Sequence, residues 1–282
     1  MSYWNDKIAI VTGASSGFGL VLATQLVRQG ATVVLVARDE DKLEAVCDSL
    51  NSDSDSSNKG TADYFAADVT STEDVTKLFA FVSEKHGRLD LLVNNAGLSA
   101  RGRIEETSLD DFAKMIELNV MAVVRCSQAA IPLLRKSKGH LVNIGSLASK
   151  SASKFIGPYA TTKFAVAGLT HQLRLELAED GIHVMLVCPG PITRSDSGSR
   201  YNDQAAELPA EIRKPGAGVK IKTLCPEKLA ADILTACEKR KSELVRPSKA
   251  KILFAIAQLS PAWGDWVLKK FSSSKNCQSS GH

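Results

Sequence analysis

Seven short apolar runs, rich in valine, isoleucine and leucine, alternate with longer amphipathic stretches along this chain. The runs are nearly continuous in apolar character, which is typical of strands buried on both faces of a parallel sheet. They lie at residues 8–11, 32–37, 64–67, 89–93, 140–144, 183–187 and, more weakly, 243–245. The amphipathic stretches predict helices at 19–29, 72–86, 109–134 and 159–179. This alternation predicts an α/β fold, a doubly wound parallel sheet flanked by helices.

The composition is that of a globular protein, without the features of a nucleic-acid or metal-binding chain. A single α/β domain can reach 282 residues, and a net charge of +4 is too small to suggest a nucleic-acid partner. The six cysteines form no CxxC pair and the five histidines no metal-ligand spacing, so we expect reduced thiols and no metal. No segment has the pattern of a signal peptide or a membrane span, which favours a cytoplasmic protein.

A glycine-rich turn, residues 12–19 (TGASSGFG), follows the first predicted strand and opens the first predicted helix. Gly13 permits a tight turn, Gly17 lets the backbone approach a phosphate, and Gly19 allows close packing of helix and sheet. The helix amino terminus then offers N–H groups and a favourable dipole to an anion. Such turns also occur as plain structural loops, but this position favours nucleotide binding.

The TGxxxGxG spacing resembles that of the short-chain dehydrogenase/reductase family, and further motifs of the family follow in order. They are Asp68-Val69, Asn94-Asn95-Ala96-Gly97, Asn119, Ser146, Tyr159-xxx-Lys163 and Pro189-Gly190, and the resemblance spans about residues 5–247. It implies a single-domain Rossmann-type fold. It also implies hydride transfer between a nicotinamide cofactor and a small carbonyl or alcohol substrate, in a homo-oligomer.

The end of the second predicted strand, Val36-Ala37-Arg38, predicts which nicotinamide cofactor is used. Proteins that bind NAD place a carboxylate there, which grips the ribose 2′-hydroxyl and would repel a 2′-phosphate. Here Ala37 takes that place and Arg38 follows, and a guanidinium suits phosphate. We therefore predict NADP(H). The alternative is that Arg38 is an ordinary surface charge, and the acidic Asp39 and Glu40 would weaken its potential.

The resemblance also implies the cofactor contacts. Asp68 and Val69 would border the adenine, Asn95 and Gly97 the adenosine side, and Thr193 the nicotinamide carboxamide. The full set of implied cofactor-binding residues is Gly13, Ser15, Ser16, Gly17, Phe18, Gly19, Arg38, Asp68, Val69, Asn95, Ala96, Gly97, Tyr159, Lys163, Pro189, Gly190, Ile192 and Thr193.

Tyr159 and Lys163 stand four residues apart in a predicted helix, so they share one face. A tyrosine titrates at about 10 in water, and a neighbouring ammonium lowers that pKa by favouring the phenolate. The pair has the chemistry of an acid/base catalyst that exchanges a proton with a carbinol oxygen. The family resemblance implies that Ser146 holds the substrate oxygen and that Asn119 holds a water linking Lys163 to solvent. A plain helix–helix hydrogen bond is the alternative for Asn119.

We divide the chain into a catalytic dinucleotide-binding domain, 1–248, and an amphipathic appendage, 249–282. Polar residues 51–60 predict a solvated loop, and residues 195–222 an irregular segment. We expect the loop after Thr193, which includes Arg194, Tyr201 and Leu208, to cover the substrate. The appendage combines apolar residues, tryptophans and flanking lysines, which permits peripheral membrane contact. The favoured interpretation is that it packs over the substrate cleft or against a second subunit.

Taken together, the residues favour an NADP(H)-dependent reductase or dehydrogenase acting on a hydrophobic carbonyl or secondary alcohol. A non-catalytic NADP(H)-binding redox sensor or scaffold is the main alternative, although it would not need Ser146, Tyr159, Lys163 and Asn119 together. An epimerase or dehydratase is disfavoured by the TGxxxGxG spacing and the short carboxy-terminal region.

Overall fold

The structure is a computed structural model that describes residues 2–52, 60–193, 208, 212, 221–260 and 262–266. Within these residues, seven parallel strands form one sheet in the order β3-β2-β1-β4-β5-β6-β7. The strands are β1 (Ile8–Thr12), β2 (Thr32–Ala37), β3 (Thr61–Ala66), β4 (Leu91–Asn94), β5 (His140–Ile144), β6 (His183–Pro189) and β7 (Glu243–Arg246). The predicted doubly wound parallel sheet is confirmed.

Helices cover both faces of this sheet. They are α1 (Gly17–Arg28), α2 (Glu40–Ser52), α3 (Thr72–His86), α4 (Leu109–Ile116), α5 (Ala122–Ser137), α6 (Tyr159–Glu176), α7 (Pro226–Glu238) and α8 (Ala250–Leu259). Leu22 of α1 and Ile233 of α7 belong to the core on one face. Leu78 of α3, Leu134 of α5 and Leu173 of α6 belong to the core on the other. Burial on both faces explains why most strand residues are apolar.

Local sequence sets where these helices begin and end, as α3 illustrates. The hydroxyl of Ser71 accepts a hydrogen bond from the N–H of Asp74, which caps the first turn. The helix ends at Gly87, whose φ of 70° places it in the left-handed conformation that glycine adopts without strain. Lys85 and His86 lie in the last turn, where a positive charge is favoured by the helix dipole.

The strand order reverses beside β1, and such a reversal forms a crevice where ligands can bind. The chain runs from β1 to β2 and β3 on one side, and then crosses to β4 on the other side of β1. In such sheets ligands bind outside the carboxyl ends of the strands at the point where the strand order reverses. The residues that follow β1 and β4 therefore face one crevice.

The structure corrects several predicted boundaries. The continuous helix predicted at 109–134 is instead α4 and α5 separated by a π-helical turn, Glu117–Met121, and α5 continues to Ser137. Strand β3 begins at Thr61 rather than 64, and β4 lies at Leu91–Asn94 rather than 89–93. Helix α1 begins at Gly17 rather than 19, and α6 ends at Glu176 rather than 179.

One helical stretch of the described residues, Leu109–Ser137, is long and apolar enough to cross a membrane by length and composition alone. Its buried residues include Asn119, Cys126 and Leu134, and α5 contacts both helix α3 and strands β4 and β5. These contacts are those of a core helix.

The described part of the appendage is α8 and residues 262–266. Ala250 and Phe254 pack against the core beside β7. In contrast, Ile252, Leu259, Trp263 and Trp266 are exposed. Whether the appendage contacts a membrane, the cleft or a second subunit stays a prediction. Residues 267–282 lie outside the described residues, as do 53–59, Arg194, Tyr201 and most of the predicted segment over the substrate.

Candidate active site

The glycine turn adopts the backbone conformation that its sequence predicts. Gly13 and Gly17 have φ values of 68° and 58°, in the left-handed region that side chains disfavour. The N–H of Gly13 donates to the carbonyl of Val36 at 2.7 Å, which ties the turn to β2. A Cβ added at Gly17 would have no atom within 4 Å, so this part of the backbone is open to a ligand. Ser16 precedes α1 without capping it through its side chain.

Gly19 is required by a very close approach of α1 to the turn. A Cβ there would lie 2.2 Å from the carbonyl oxygen of Gly13 and 2.6 Å from Nδ2 of Asn95. That amide nitrogen donates to the carbonyl of Thr12 at 2.9 Å. Asn95 therefore holds the turn against the end of β4. This structural role is in addition to the cofactor contact that the resemblance implies.

Gly19→Ala should lower the free energy of unfolding by about 3 kcal/mol or more, because the added methyl group meets a backbone carbonyl that cannot move alone. Gly168→Ala is the matched control, because its Cβ in helix α6 would have no atom within 4 Å. Alanine there should stabilise the protein by about 0.5–1 kcal/mol. Urea unfolding of the two variants measures both changes, and equal effects would contradict the close approach at Gly19.

Thr12 opens the glycine turn, but the sequence analysis assigned its side chain no role. Its buried hydroxyl accepts from the N–H groups of Asn95 and Ala96, each at 3.0 Å, and donates to the carbonyl of Val93. These bonds join the ends of β1 and β4 at the crevice. A threonine at the end of an apolar run was the available signal, because a buried hydroxyl must find partners.

Arg38 and Asp68 follow the adjacent strands β2 and β3 and lie on one side of the crevice. Partial burial raises the pKa of Asp68, but hydrogen bonds from the N–H and hydroxyl of Thr70, and the charge of Arg38, lower it overall. Asp39, the acidic neighbour that would oppose Arg38, pairs with Lys42 at 2.5 Å. Lys42 therefore offsets the charge of Asp39, while the carboxylate of Asp68 interacts with Arg38. Val69, the next residue after Asp68, is buried.

Tyr159 and Lys163 lie on one face of α6, with the Lys163 ammonium 5.8 Å from the centre of the Tyr159 ring. Lys163 is 8% exposed, and its Nζ donates to the carbonyl of Ile144 at 2.8 Å. Burial lowers the pKa of Lys163 to about 8. The Tyr159 ring packs beside Ala148, Ile156 and Ala160. The arrangement places a buried ammonium beside a phenol at the end of β5.

Asn119 lies in the π-helical turn and is 1% exposed. Its Oδ1 accepts from the N–H of Leu98 at 2.8 Å, and its Nδ2 donates to the carbonyl of Leu98 at 2.8 Å and to Oγ1 of Thr162 at 3.0 Å. A Cβ at Gly97 would lie 3.0 Å from Asn119 Oδ1 and 3.9 Å from Lys163 Nζ. Gly97, Asn119 and Lys163 therefore meet. The bond from Asn119 to Thr162 of α6 is the helix–helix hydrogen bond given above as the alternative role. The water that the resemblance implies stays a prediction.

Ser146 begins a short 3₁₀ turn, Leu147–Ser149, immediately after β5. Its hydroxyl accepts from the N–H of Ala148 at 3.1 Å, while Ser149 accepts from the N–H of Ser146 at 3.1 Å. A hydroxyl that accepts one such bond keeps its own hydrogen for donation. The turn packs on α6, the helix that carries Tyr159 and Lys163.

The segment after β6 approaches the same region. The N–H of Gly190 donates to the carbonyl of Arg246 at 2.7 Å, and the N–H of Thr193 donates to the carbonyl of Leu224 at 2.9 Å. A Cβ at Gly190 would lie 3.4 Å from the Leu147 side chain, beside the Ser146 turn. Pro189 is buried and Thr193 exposed, so the segment emerges from the sheet towards solvent. Pro189 is the last residue of β6, and Gly190, Ile192 and Thr193 follow at the carboxyl end of that strand.

Comparison with known proteins identifies the family. The family described as short chain dehydrogenase matches residues 7–206. An uncharacterised oxidoreductase of Staphylococcus aureus (strain N315) is 37% identical over 193 residues, which are 68% of this chain and 80% of that protein. The chain belongs to the short-chain dehydrogenase family. It is accordingly an oxidoreductase of a family whose members act on small molecules.

Solved structures agree with this assignment. A short-chain dehydrogenase from Streptomyces avermitilis superimposes with a TM-score of 0.76 and 28% identity, covering 94% of this chain and 96% of that chain. An alcohol dehydrogenase from the archaeon Thermococcus sibiricus, complexed with 5-hydroxy-NADP, gives a TM-score of 0.71 and 27% identity, covering 86% and 96%. The similarity therefore extends over most of the chain.

Proposed function

We propose that this protein is an NADP(H)-dependent oxidoreductase that interconverts a carbonyl compound and a secondary alcohol, with Tyr159 as the acid/base. The observation that carries the proposal is the Lys163 ammonium, 8% exposed and bonded to the carbonyl of Ile144, 5.8 Å from the centre of the Tyr159 ring. Burying a charged lysine is unfavourable unless its ammonium is paired or hydrogen-bonded, as that of Lys163 is to the Ile144 carbonyl. Here the charge stands beside a phenol at the carboxyl edge of the sheet.

The residues present fit a nicotinamide dinucleotide. The open backbone at Gly17 and the amino terminus of α1 suit the pyrophosphate, and Asp68 and Val69 suit the adenosine end. Lys163 and Thr193 suit the nicotinamide end. When bound, the cofactor would supply or accept the hydride. The complex of the similar archaeal alcohol dehydrogenase with 5-hydroxy-NADP supports the same class of cofactor.

The side chains of this protein would manage the proton. In the direction of reduction, the Tyr159 hydroxyl would donate its proton to the carbonyl oxygen, and the adjacent ammonium of Lys163 would stabilise the phenolate that remains. Ser146 would donate a hydrogen bond to the same oxygen and so hold it near Tyr159. In the direction of oxidation, the phenolate would accept the proton of the alcohol. The buried position of the Lys163 ammonium excludes water that would weaken its interaction with the phenolate.

The 2′-phosphate of NADP(H) would be bound by Arg38. Arg38→Ala should weaken NADPH binding by about 10- to 100-fold, because a charge-assisted hydrogen bond to phosphate is lost, and should leave NADH binding unchanged. Lys77→Ala is the control, because Lys77 is an exposed cation that pairs with Glu73 within helix α3 and does not offset Asp39. Fluorescence titration with both cofactors measures the change. Wild-type protein that bound NADH as tightly as NADPH would contradict this assignment.

A panel of carbonyl compounds, followed through the near-ultraviolet absorbance of NADPH, tests the proposed activity. The panel should include steroid-like and acyl compounds, because residues near the site such as Phe155 and Ile156 are apolar. Consumption of NADPH with at least one class supports an enzyme. Tight NADPH binding without consumption across the panel would instead favour the non-catalytic redox sensor or scaffold.

A further inference from the structure

Thr162, the residue before Lys163, is fully buried between α6 and the π-helical turn. Its Oγ1 lies 2.8 Å from the carbonyl oxygen of Tyr159 and 3.0 Å from Nδ2 of Asn119. The Thr162 hydroxyl thus contacts the backbone of Tyr159 and the side chain of Asn119. The sequence analysis assigned it no role.

The direction of these bonds follows from the number of hydrogens. A carbonyl only accepts, so the single hydroxyl hydrogen of Thr162 goes to Tyr159, and Oγ1 must accept from Asn119. The second hydrogen of Asn119 Nδ2 goes to the carbonyl of Leu98, and Oδ1 accepts from the N–H of Leu98. Rotating the amide by half a turn would place its NH₂ group against that N–H. Thr162 and Leu98 together therefore define one orientation of Asn119.

This orientation joins three elements at the catalytic pair. Through Asn119, Thr162 ties the loop after β4 to helix α6. The loop passes so closely that a Cβ at Gly97 would lie 3.0 Å from Asn119 Oδ1 and 3.9 Å from Lys163 Nζ. Without the hydroxyl, Asn119 would keep a buried N–H with no acceptor at this position, and the amide and the loop would shift.

We propose that Thr162 is a positioning residue, which fixes Asn119 and the loop after β4 against α6 so that Tyr159 and Lys163 hold the geometry needed for proton transfer. This inference rests on the proposed function of that pair. Thr162 itself acts only through Asn119 and the backbone of Tyr159.

Thr170 offers a matched control in the same helix. It is also fully buried, its hydroxyl donates to the carbonyl of Val166 at 2.6 Å, and it accepts from Nδ2 of Asn143 at 2.9 Å. It therefore reproduces the bonding pattern of Thr162. Eight residues of helix separate the two, which is about 12 Å. A valine at either position removes a hydroxyl and keeps the shape of the side chain.

The experiment compares Thr162→Val, Thr162→Ser and Thr170→Val in the full chain with NADPH and the best carbonyl substrate of the panel. Thr162→Val should lower kcat by about 10- to 100-fold, as misplacement of catalytic groups does, and shift the pH profile of kcat. It should also speed amide hydrogen exchange at Leu98. Thr162→Ser should keep kcat and the profile, because serine retains the hydroxyl. Thr170→Val should lower the melting temperature similarly but change neither kcat nor the pH profile.

The proposal is overturned if Thr162→Val keeps the wild-type kcat and pH profile, or if Thr162→Val and Thr170→Val lower kcat equally. Should Thr162→Val not fold, Thr162→Ala takes its place, and failure of both while Thr170→Val folds would show a purely structural role. Tyr159→Phe in the same assay separates the two hypotheses. An active Tyr159→Phe enzyme contradicts the proposed function, whereas an inactive one beside an unaffected Thr162→Val contradicts only the role of Thr162.

Discussion

Tyr159→Phe should lower kcat by about 10²- to 10⁴-fold, the range that a positioned acid/base group contributes. The variant loses only the phenolic oxygen, and its ring can keep the contacts with Ala148, Ile156 and Ala160. Binding of NADPH should therefore remain nearly intact, because the glycine turn and Arg38 are unchanged. Steady-state turnover, followed by NADPH absorbance, and a fluorescence titration with NADPH measure the two effects separately.

Tyr64→Phe is the control for this experiment. Tyr64 lies in β3, the edge strand of the sheet, so its hydroxyl is remote from the crevice beside β5. This variant should retain the activity of the wild type. Full activity of Tyr159→Phe would show that Tyr159 does not transfer the proton, and the proposed mechanism would be wrong.

The second large effect is on stability in acid. It arises at the amino ends of the strands, on the side of the sheet opposite the crevice. His140 and His183 begin the neighbouring strands β5 and β6 in register. His183 Nε2 lies 2.8 Å from the carbonyl of Lys241, so it carries the hydrogen, and its Nδ1 accepts from His140 Nδ1 at 2.8 Å. His140 Nε2 then accepts from the hydroxyl of Tyr3 at 2.7 Å. With the Tyr3 hydroxyl as donor, both imidazoles in this chain of bonds are neutral.

The surroundings keep both rings neutral. Burial, with smaller contributions from His183, Arg240 and Lys7, lowers the pKa of His140 to about 3. Burial likewise lowers the pKa of His183. Cys237 lies so close that its Sγ and one nitrogen of each ring are within 4.8 Å of one another. The facing imidazole nitrogens satisfy each other, however, through their shared hydrogen bond.

Protonation of the unfolded chain therefore destabilises the protein in acid. Because the pKa of His140 is lower in the folded state, its contribution is fully present above the unfolded pKa of about 6.5 and is lost as the pH falls towards 3. We expect the free energy of unfolding to fall by about 2 kcal/mol from pH 7.5 to pH 5 on account of His140 alone. Urea unfolding at the two pH values measures this difference.

His140→Gln should remove this part of the pH dependence, because an amide does not titrate and still offers a donor and an acceptor. His171→Gln, a change at an exposed histidine of α6, should keep the wild-type dependence. His86 is partly buried and its pKa is also lowered by burial, an effect that both variants share. Equal pH dependence in the wild type and His140→Gln would contradict the neutral chain of hydrogen bonds.

Much of the fold could be predicted because strands buried on both faces of a sheet have nearly continuous apolar sequences. The run at 32–37 matches β2 residue for residue. Strand β3 was placed too late because it is an edge strand, and its first residues, Thr61 to Asp63, are partly polar. The π-helical turn was missed because residues 109–134 keep a helical pattern throughout. Its cause is tertiary: Asn119 bonds to Leu98 and Thr162, which are distant in sequence.

The site was predictable where spacing within one element carries the chemistry, as for the glycine turn and for Tyr159 and Lys163. Contacts between elements were not visible in the sequence. Thr12 and Thr162 are single polar residues whose partners lie on other strands and helices. The pairing of His140 with His183 depends on the register of β5 and β6, 43 residues apart. Such roles follow only from the assembled sheet.

A crystal structure with NADP⁺ and a carbonyl or alcohol ligand is the most direct test of the central claim. The account predicts a ligand oxygen within about 3 Å of both the Tyr159 hydroxyl and the Ser146 hydroxyl, the distance that proton transfer requires. It also predicts the nicotinamide ring beside Lys163. A ring bound elsewhere, or a Tyr159 hydroxyl directed away from the ligand, would contradict it.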